Sequence, residues 1–449
     1  MLLAALSACE PPPDDAPAAS DCALTGIVEG VDVALDEGMP TYATVSLTLT
    51  ETADVSIVAI AEGAPEVAGP VRVGQSGAIA VPLHGMRPSS TYAVRVRATT
   101  GAGCEEVVAE VATGELPGTP PELEVLTDDG SHEGYLMVGG MTVGDDSTGV
   151  TMVDRGGVAV WHHEAPGLMY ASPTSDGAGF YLARAGIGGP GAIDLLDLGG
   201  DLVRTVEVEY VHHSATDRVP DVAFATLVEV VEEDAEWMEA CGVDATSIAG
   251  DAIVEVAADG TVTEAWNAFE ALSRDCPSHD RLNSLGHLDW THLNAIDYDP
   301  DLDAWLVSFY WDSMIALIDR PTGEITFRSD DCGLELSQQH GARFAEGGFV
   351  AYDNHAVPAR MVRVQADFAA GTCGDVEVFE HPDGLSGNFL GNIRVEGDRW
   401  YTAWGDVGDV MVIDGGEIVW RAAPTEDFEE DHGGLIAAST AWLPNLYGE

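Results

Sequence analysis

The chain has 449 residues, with 77 acidic and 18 basic side chains and a formal net charge of -59. This balance excludes most nucleic-acid binding, because contacts to phosphates need Lys and Arg, and it argues against docking on anionic lipid through charge. The length predicts two or more domains. Glycine is abundant and short apolar runs end at Gly, Asp or Pro, which predicts an all-β protein whose acidity keeps it soluble.

The first residues resemble the leader of a bacterial lipoprotein. Cys9 closes the run Leu6-Ser7-Ala8-Cys9, and residues 10–20 read as a flexible tether. We therefore assign residues 1–20 to a lipoprotein-type signal and tether. A lipid anchor on Cys9 is the membrane contact that we expect, on an exported protein of the periplasm, outer membrane or cell surface. The segment lacks the basic region of a signal peptide, so an accidental match is the alternative.

Residues 21–114 show short alternating strands, and the spacing Pro88-x-x-x-Tyr92-x-Val94-x-Val96 is typical of a fibronectin type III or immunoglobulin-like β-sandwich. The Pro-rich stretch 115–122 is the predicted linker. We see no catalytic constellation in this first domain.

From residue 123 to residue 449 the sequence repeats a strand, a glycine-containing turn and a second strand. Six copies lie 40 to 62 residues apart, at 153–161, 196–203, 258–266, 318–327, 372–379 and 412–420. Each reads as the last hairpin of a four-stranded unit that must stack on its neighbours to bury its faces. The pattern predicts a six-bladed β-propeller, with seven blades as the alternative because the spacing is uneven.

Two insertions interrupt the repeats, and each carries a cysteine. Residues 230–241 predict a short helix, and residues 269–288 predict a long loop just before His292. Six cysteines beyond Cys9 fit three disulfides of an exported protein, and their proximity along the chain pairs them as Cys22–Cys104, Cys241–Cys276 and Cys332–Cys373. The second pair would hold the two insertions together.

Three histidines stand at equivalent places in successive repeats. His213, His292 and His340 each open a unit, and the first strand of a propeller blade lines the central channel. Three imidazoles at that position are expected to converge on one spot. They allow either a metal site or covalent transfer of an anionic group, with one histidine as the nucleophile and the others as acid or charge stabiliser.

The stretch 291–298 reads as the strand that presents one of these histidines. Simple alternation puts Leu293 and Ala295 on one face and His292, Asn294, Ile296 and Tyr298 on the other. Asn294 would then point at the same small polar ligand as His292. The aromatic side chains Trp290, Tyr310, Trp311 and Phe389 are candidates for a wall against a phenolic substrate.

Several of these runs, in this order and spacing, resemble the bacterial arylsulfate sulfotransferases. The runs are 212–213, 289–300 (DWTHLNAIDYDP), 339–343 (QHGAR), 352–354 (YDN), 391–394 (GNIR) and 403–405 (AWG). The resemblance implies a six-bladed propeller behind a small β-sandwich. It also implies an exported enzyme that moves a sulfuryl group from a phenolic sulfate ester to a phenol, with no nucleotide donor and no cofactor.

The resemblance also implies a role for each matching residue. His340 matches the histidine that attacks sulfur and becomes a transient sulfohistidine. His292 and His213 match the histidines that hold the sulfuryl oxygens and exchange a proton with the aryl oxygen, and Asn294 would be a further donor. Such residues suit a loose transition state with charge on three oxygens.

One departure from the family pattern concerns an arginine of the following strand. Tyr310 stands at or next to its place, as a substrate-binding residue, and no arginine lies between Gly286 and Arg320. Arg343 follows His340 by three residues, but alternation points it away. Ser214 also replaces a residue that is often acidic. Two alternatives therefore stand beside the transferase: a catalytically impaired propeller that binds a small anion or a protein partner, and a metal-dependent enzyme using the three histidines.

Overall fold

The computed structural model describes residues 22–131, 133–142, 148–184, 190–273, 276–277, 279–283, 285–432 and 434–447. Across these residues the chain forms many short strands and a few short helices, so the prediction of an all-β protein is confirmed. The predicted leader 1–20 and its Cys9 lie outside the described residues.

The N-terminal region is one hydrogen-bonded sheet with a long central strand. Its strands are β1 (Val28–Leu35), β2 (Ala43–Ile60), β3 (Val67–Ala68), β4 (Arg72–Leu83), β5 (Thr91–Thr100) and β6 (Gly103–Ala112). The first half of β2 pairs with β1 and β4, and its second half pairs with β3 and β5. Along β2, buried residues such as Val45, Leu47 and Ile57 alternate with exposed ones, because successive side chains of a strand point to opposite faces.

Six further sheets of four or five strands follow. In chain order the earlier strands are β7 (Leu123–Asp128), β8 (Tyr135–Thr142), β9 (Thr148–Val153), β10 (Ala159–Glu164), β11 (Leu168–Pro173), β12 (Gly179–Arg184), β13 (Pro190–Asp197), β14 (Leu202–Glu209), β15 (Val211–Thr216), β16 (Phe224–Glu233), β17 (Ser247–Val256) and β18 (Val262–Asn267). The later strands are β19 (Leu288–Asp289), β20 (Leu293–Asp299), β21 (Ala304–Phe309), β22 (Met314–Asp319), β23 (Ile325–Arg328), β24 (His340–Ala345), β25 (Gly348–Asp353), β26 (Arg360–Asp367), β27 (Thr372–Glu380), β28 (Asn392–Glu396), β29 (Arg399–Ala403), β30 (Val410–Asp414), β31 (Glu417–Pro424) and β32 (Leu435–Leu443).

One strand from each of these six sheets contributes to a closed ring of contacts. In order, β11, β15, β20, β24, β28 and β32 touch one another, and β32 returns to β11. The sheet that contains β32 is completed by β8, β9 and β10 from much earlier in the chain, and β7 pairs with β31 in the sheet before it. Strands from the beginning and from the end of residues 123–449 therefore pair with each other in these two sheets.

The predicted hairpins are observed in five of the six repeats, where a turn separates β9 from β10, β13 from β14, β17 from β18, β22 from β23 and β30 from β31. The hairpin predicted at 372–379 lies earlier in the chain than predicted. Those residues lie in β27, and the turn of that hairpin is at 368–371. Gly374 was mistaken for a turn residue, although it lies inside a strand.

Neighbouring sheets bury their apolar faces against each other. Leu306 and Ile315 of one sheet pack with Phe349 and Val362 of the next, and Phe327 closes the same cluster. Each fully buried side chain of this size contributes about 1.5–3 kcal/mol relative to an exposed one. This stacking holds the ring strands and the residues at their ends in place.

The two insertions form short elements joined by a disulfide. The predicted helix is shorter than 230–241, because β16 continues to Glu233. Helix α1 (Ala235–Cys241) begins after Asp234, whose side chain accepts a hydrogen bond from Trp237 N. The second insertion contains α2 (Ala268–Ala271), and a third helix, α3 (Glu426–His432), precedes β32.

All three predicted cysteine pairings are confirmed, as Cys22–Cys104, Cys241–Cys276 and Cys332–Cys373. Among the residues that the structure describes, no helix combines the length and apolar character needed to cross a bilayer.

Candidate active site

The three predicted histidines come together at the N-terminal ends of neighbouring ring strands. His213 lies in β15, His292 immediately precedes β20, and His340 is the first residue of β24. The ring centroid of His213 is 5.4 Å from that of His292 and 6.2 Å from that of His340. The repeat position alone predicted this convergence.

The backbone around these histidines is unusual for strands. His213 and His292 have φ of 54° and 47°, a left-handed conformation that non-glycine residues rarely adopt. Gly341, directly after His340, has φ of 63°, and a Cβ atom there would lie 2.9 Å from the Cα of Asn392. Left-handed non-glycine residues cost about 1–3 kcal/mol and persist where the surrounding structure fixes them.

The face assignment for 291–298 was wrong in one respect. A bulge shifts the register of β20 between Leu293 and Ala295, so the alternation of faces slips by one residue. As a result Leu293 packs in the same cluster as Ile296 and Tyr298, whereas Ala295 packs in another.

His340 is held in one tautomer by an amide. Its Nδ1 lies 2.8 Å from Oδ1 of Asn354, and Nδ2 of Asn354 donates to Leu390 O at 2.9 Å, which fixes the amide. Nδ1 of His340 therefore carries the proton, and Nε2 keeps its lone pair. Burial, together with the charges of His292 and His355, outweighs the Asn354 hydrogen bond and lowers the pKa of His340 to about 3. The imidazole is neutral at physiological pH.

His292 has the opposite electrostatic environment. Its Nδ1 lies 2.7 Å from Oδ2 of Asp289, and its side chain is 31% exposed. Burial lowers the pKa of His292, but the hydrogen bond to Asp289 and the charges of nearby carboxylates outweigh burial and raise it overall. Burial raises the pKa of Asp289, yet the hydrogen bond and charge of His292 lower it overall. The contact between the two side chains therefore favours a protonated His292 beside an ionised Asp289.

His213 is the third member and is 5% exposed. Its Nδ1 shares a hydrogen bond of 2.8 Å with Nδ1 of His212, and Nε2 of His212 lies 2.8 Å from Oδ1 of Asp251, without hydrogen-bond alignment. Asp251 also accepts hydrogen bonds from Thr291 Oγ1 and from Leu293 N. Burial, and then the charges of the neighbouring imidazoles, lower the pKa of His213 well below its usual value.

Asn294, predicted as a ligand to the transferred group, is fully buried behind the histidines. Its Nδ2 donates to Gln339 O at 2.7 Å. Nε2 of Gln339 in turn donates to Ser308 Oγ at 2.9 Å and to Met314 O at 3.1 Å. Asn294 and Gln339 thus fix the backbone that enters His340, and the substrate-binding role of Asn294 stays a prediction.

Tyr310, the second predicted substrate-binding residue, lies between two of the histidines. Its ring centroid is 5.1 Å from that of His292 and 5.1 Å from that of His340, and its hydroxyl is 3.3 Å from Nε2 of His355. Burial raises the pKa of Tyr310. The phenol therefore stays protonated and offers a hydrogen bond at the edge of the cluster.

The other three aromatic candidates lie in three different environments. Trp311 lies beside the cluster, with its ring centroid 5.9 Å from that of His292. Trp290 is 8% exposed and packs against Phe269 at 5.3 Å, so it belongs to the core. Phe389 is 43% exposed. Tyr310 and Trp311 are the aromatic surface next to the imidazoles.

Arg343 does not serve the histidines, although the reason differs from simple alternation. A bulge lies between His340 and Arg343, and Nη1 of Arg343 donates to Ile296 O at 2.8 Å. The 269–288 insertion brings the positive charge of Arg281 near the site, and this charge lowers the pKa of Tyr310 against the larger effect of burial.

Sequence reasoning missed the partners that orient the rings. Asn354 lies in the quoted run 352–354, but nothing in a single sequence pairs it with His340. Asp251 comes from β17, about 40 residues before His292 in the chain. Asp289, three residues before His292, was the one detectable signal. Among the described residues, no group of three or more His, Cys, Asp or Glu side chains has an arrangement that would hold a metal ion.

Comparison with known proteins identifies the family. The arylsulfotransferase (ASST) family model matches residues 122–355, just over half of the chain. No curated protein matches. A Bacteroides caccae protein of unknown function is similar in structure, with a TM-score of 0.44 and 12% identity over 69% of this chain and 98% of that one. A putative 6-phosphogluconolactonase from Bacteroides uniformis has a TM-score of 0.41 and 13% identity, over 69% and 99% of the two chains.

The matched segment contains all three clustered histidines, their partners Asp289 and Asn354, and Tyr310. The chain belongs to the arylsulfotransferase family, and membership supports a sulfotransferase-type function with an aryl sulfate as donor and a phenol as acceptor.

Proposed function

We propose that this protein is an aryl-sulfate sulfotransferase that moves a sulfuryl group from a phenolic sulfate ester to a phenol through a sulfohistidine on His340. The observation that carries the proposal is the hydrogen bond between Nδ1 of His340 and Oδ1 of Asn354. It leaves a neutral imidazole with the Nε2 lone pair available beside a second, cationic imidazole. A neutral nucleophile next to an acid is the pairing that group transfer needs.

In the first half-reaction, Nε2 of His340 attacks sulfur and the bond between sulfur and the aryl oxygen breaks. The electron pair of that bond leaves with the aryl oxygen, which takes a proton from His292. The sulfonated imidazole keeps its Nδ1 proton and carries positive charge, which Oδ1 of Asn354 stabilises. The hydrogen-bond donors of His213 and Tyr310 face the sulfuryl oxygens as charge develops there.

In the second half-reaction, the phenol acceptor enters the position that the first phenol leaves. His292, now neutral and oriented by Asp289, removes the proton of the acceptor hydroxyl. The acceptor oxygen attacks sulfur, and the bond between sulfur and Nε2 breaks, with its electron pair returning to the imidazole. His340 and His292 are restored to their starting states, as a double-displacement mechanism requires.

The absence of an arginine next to His292 is offset in this proposal by two other charges. The imidazolium of His292 is itself a fixed cation at the site. Arg281 in the 269–288 insertion is a second cation whose field reaches Tyr310. Neither provides the bidentate fork of a buried arginine, so a lower rate than in a site with that arginine is expected.

The architecture and location proposed for this enzyme follow the sequence predictions. The closed ring of contacts among six sheets supports a six-bladed propeller over residues 123–449. The two pairing sets of β2 support an Ig-like sandwich over residues 21–114, with a linker at 115–122. Three disulfides support export to an oxidising compartment. The lipid anchor on Cys9 remains a prediction.

A transfer assay tests the proposal. Purified, oxidised protein is given a chromogenic aryl sulfate with and without excess phenol, beside His340→Asn and the matched control His163→Asn. Phenol-dependent release of the chromophore is expected in the wild type and in His163→Asn. His340→Asn should lose about 10⁶-fold, the scale seen when a covalent nucleophile is removed. A donor-treated wild-type sample should gain the mass of one SO3 on a peptide that contains His340.

Equal turnover in His340→Asn would contradict the covalent mechanism. Folded wild-type protein with no turnover across several donors would favour the second candidate, a propeller that binds a small anion or a protein partner. Stoichiometric metal in the purified protein, with activity lost on chelation, would instead favour a metal-dependent reaction of the three histidines.

A further inference from the structure

A cavity lies at the ends of the ring strands that are opposite to the histidines. It has a volume of about 260 Å³, and residues near the C-terminal ends of β11, β15, β20, β24, β28 and β32 line it. Arg343 lines this cavity and follows His340 by three residues in the same strand. The Cα atoms of these two residues are therefore separated by about 10 Å at the usual rise of a strand.

The cavity contains an arginine with open hydrogen-bond donors. All 18 basic residues of the chain are arginines, and several are fully engaged, such as Arg421 at 2.5 Å from Asp383. Arg343 is 6% exposed. Its Nη1 donates to Ile296 O at 2.8 Å and lies 3.9 Å from Oδ1 of Asp297. Within the described residues, its buried Nε and Nη2 have no hydrogen-bond partner.

A second arginine with an open donor lies beside the first. The buried Nε of Arg394, in β28, also lacks a hydrogen-bond partner in the part of the chain that the structure describes. Burial, and then the charges of Arg343 and Arg218, lower the pKa of Arg394 to about 10. Arg394 is therefore still protonated at neutral pH. Asp297 opposes this shift, but three arginine charges close enough to affect one another stay costly where negative charge does not balance them, and a bound anion would add that balance.

Three carboxylates, of Asp217, Asp297 and the exposed Glu396, also line the cavity, and the other polar residues add one unpartnered buried donor. Ser172, at the end of β11, is 4% exposed, and its hydroxyl has no partner among the described residues. Asp297 accepts hydrogen bonds from Tyr298 N at 3.0 Å and from Phe344 N at 3.0 Å. Asp217 accepts from Ser175 N at 2.9 Å. The unpartnered buried atoms are thus donors, which require an acceptor.

We propose that this cavity binds a small tetrahedral oxyanion, a sulfate or phosphate or the head group of one of their esters, between Arg343, Arg394 and Ser172. The three side chains come from three different ring strands and line the same cavity, an arrangement that suits a tetrahedral acceptor better than a planar carboxylate. Arg218, exposed at the rim, attracts the anion into a protein that otherwise repels it. The site does not depend on the proposed transferase activity.

Calorimetric titration tests the site with inorganic sulfate, inorganic phosphate, acetate and methyl sulfate at constant ionic strength. The proteins are the wild type, Arg394→Gln, Ser172→Ala, His292→Asn and the matched control Arg399→Gln, whose arginine pairs with Asp414 on the outside of the ring. Thermal unfolding of each variant reports its folding. His292→Asn removes a group of the histidine site and leaves the arginine site unchanged.

We expect a sulfate- or phosphate-binding event that persists in His292→Asn and Arg399→Gln. It should weaken at least tenfold in Arg394→Gln and severalfold in Ser172→Ala, and acetate should bind more weakly. Methyl sulfate binding more tightly than sulfate would identify an ester as the ligand, and the reverse order would identify the free dianion. Unchanged affinity in folded Arg394→Gln, or loss of binding in His292→Asn alone, would overturn the proposal. So would the absence of any anion binding by the wild type.

Discussion

The two ends of the ring strands differ in how their hydrogen bonds are completed. At the histidine end, Nδ1 of each imidazole is engaged, by Asn354, Asp289 or His212. At the arginine end, Nε of both Arg343 and Arg394 is buried with no hydrogen-bond partner among the described residues. At one end the partners of the histidines fix the rings, and at the other end residues that line the cavity carry unpartnered donors.

This difference indicates different tasks for the two ends. Chemistry benefits from groups that are already oriented and whose protonation is set in advance, because reorganisation during the reaction is then small. Binding benefits from donors that complete their hydrogen bonds only with the ligand. The predictions below test whether the two ends are as separate as this comparison implies.

The largest effect is expected from Asn354→Leu. Leucine cannot accept a hydrogen bond from Nδ1 of His340, so the imidazole ring is free to adopt the other tautomer and to rotate. The transfer rate should fall about 10³- to 10⁴-fold, the scale seen when a catalytic histidine loses its orienting partner. Sulfate binding at the arginine end should not change, which calorimetry checks on the same sample. A rate within tenfold of the wild type would show that Asn354 does not orient the nucleophile.

Asp289→Asn should produce the next largest effect, on proton transfer. The pKa of His292 is raised mainly by Asp289, against burial, so the neutral amide should lower it. His292 keeps its proton below this pKa and loses it as the pH rises through it. The rate with donors that have poor leaving groups should fall about 10²- to 10³-fold, and with nitrophenyl sulfate much less.

The pH profile provides the matching measurement for Asp289→Asn. In the wild type, kcat/KM for a poor donor should decline as the pH rises through the raised pKa of His292, and in Asp289→Asn this decline should begin at lower pH. The control Asp330→Asn removes an exposed carboxylate that pairs with Arg328 and should leave the profile unchanged. An identical alkaline limb in Asp289→Asn would exclude His292 as the acid.

Gly341→Ala should affect both ends at once, because Gly341 lies between His340 and Arg343. An added Cβ meets the backbone of Asn392 at 2.9 Å, and φ is positive. We expect a loss of about 1–3 kcal/mol in the free energy of unfolding, with both transfer and sulfate binding weakened. Gly347→Ala is the matched control, because φ is also positive but nothing lies within 4 Å of its Cβ. Equal effects of the two variants would argue against a packing role for Gly341.

The smallest effect is expected from Arg281→Gln in the insertion. Loss of this exposed cation should raise KM for an aryl sulfate roughly threefold to tenfold with kcat nearly unchanged, and the difference should shrink at high salt. Kinetics at two ionic strengths measure it. A fall in kcat without a change in KM would instead show that Arg281 stabilises the transition state.

The sequence predicted the elements that follow from periodicity. Alternation and repeat spacing identified the strands, the equivalent positions of His213, His292 and His340, and the cysteine pairs. Predictions from alternation failed where one extra residue within a strand changes the register of its pairing. The bulge after Leu293 moved Ala295 to another cluster, and the bulge after His340 removed the basis for orienting Arg343. A single bulge is invisible in composition but reverses every side chain beyond it.

Contacts between distant strands were also beyond the sequence. Asn354 reaches His340 across a hairpin, and Asp251 reaches the His292 segment from another sheet. The arginine end could not be predicted for the same reason. Ser172, Arg343 and Arg394 lie on different ring strands, and consecutive members of this set are more than 50 residues apart in the sequence. The closed ring brings them to the same cavity.

The closure of that ring by β32 has a consequence for the order of events during synthesis. Every histidine of the site leaves the ribosome before β32, which must pair with β8, nearly 300 residues earlier, to complete the last sheet. Until then, the edge of β8 and the space beside β11 are uncovered. A nascent chain therefore carries all the reactive groups without the wall that positions them, and transfer activity would report that translation has passed β32.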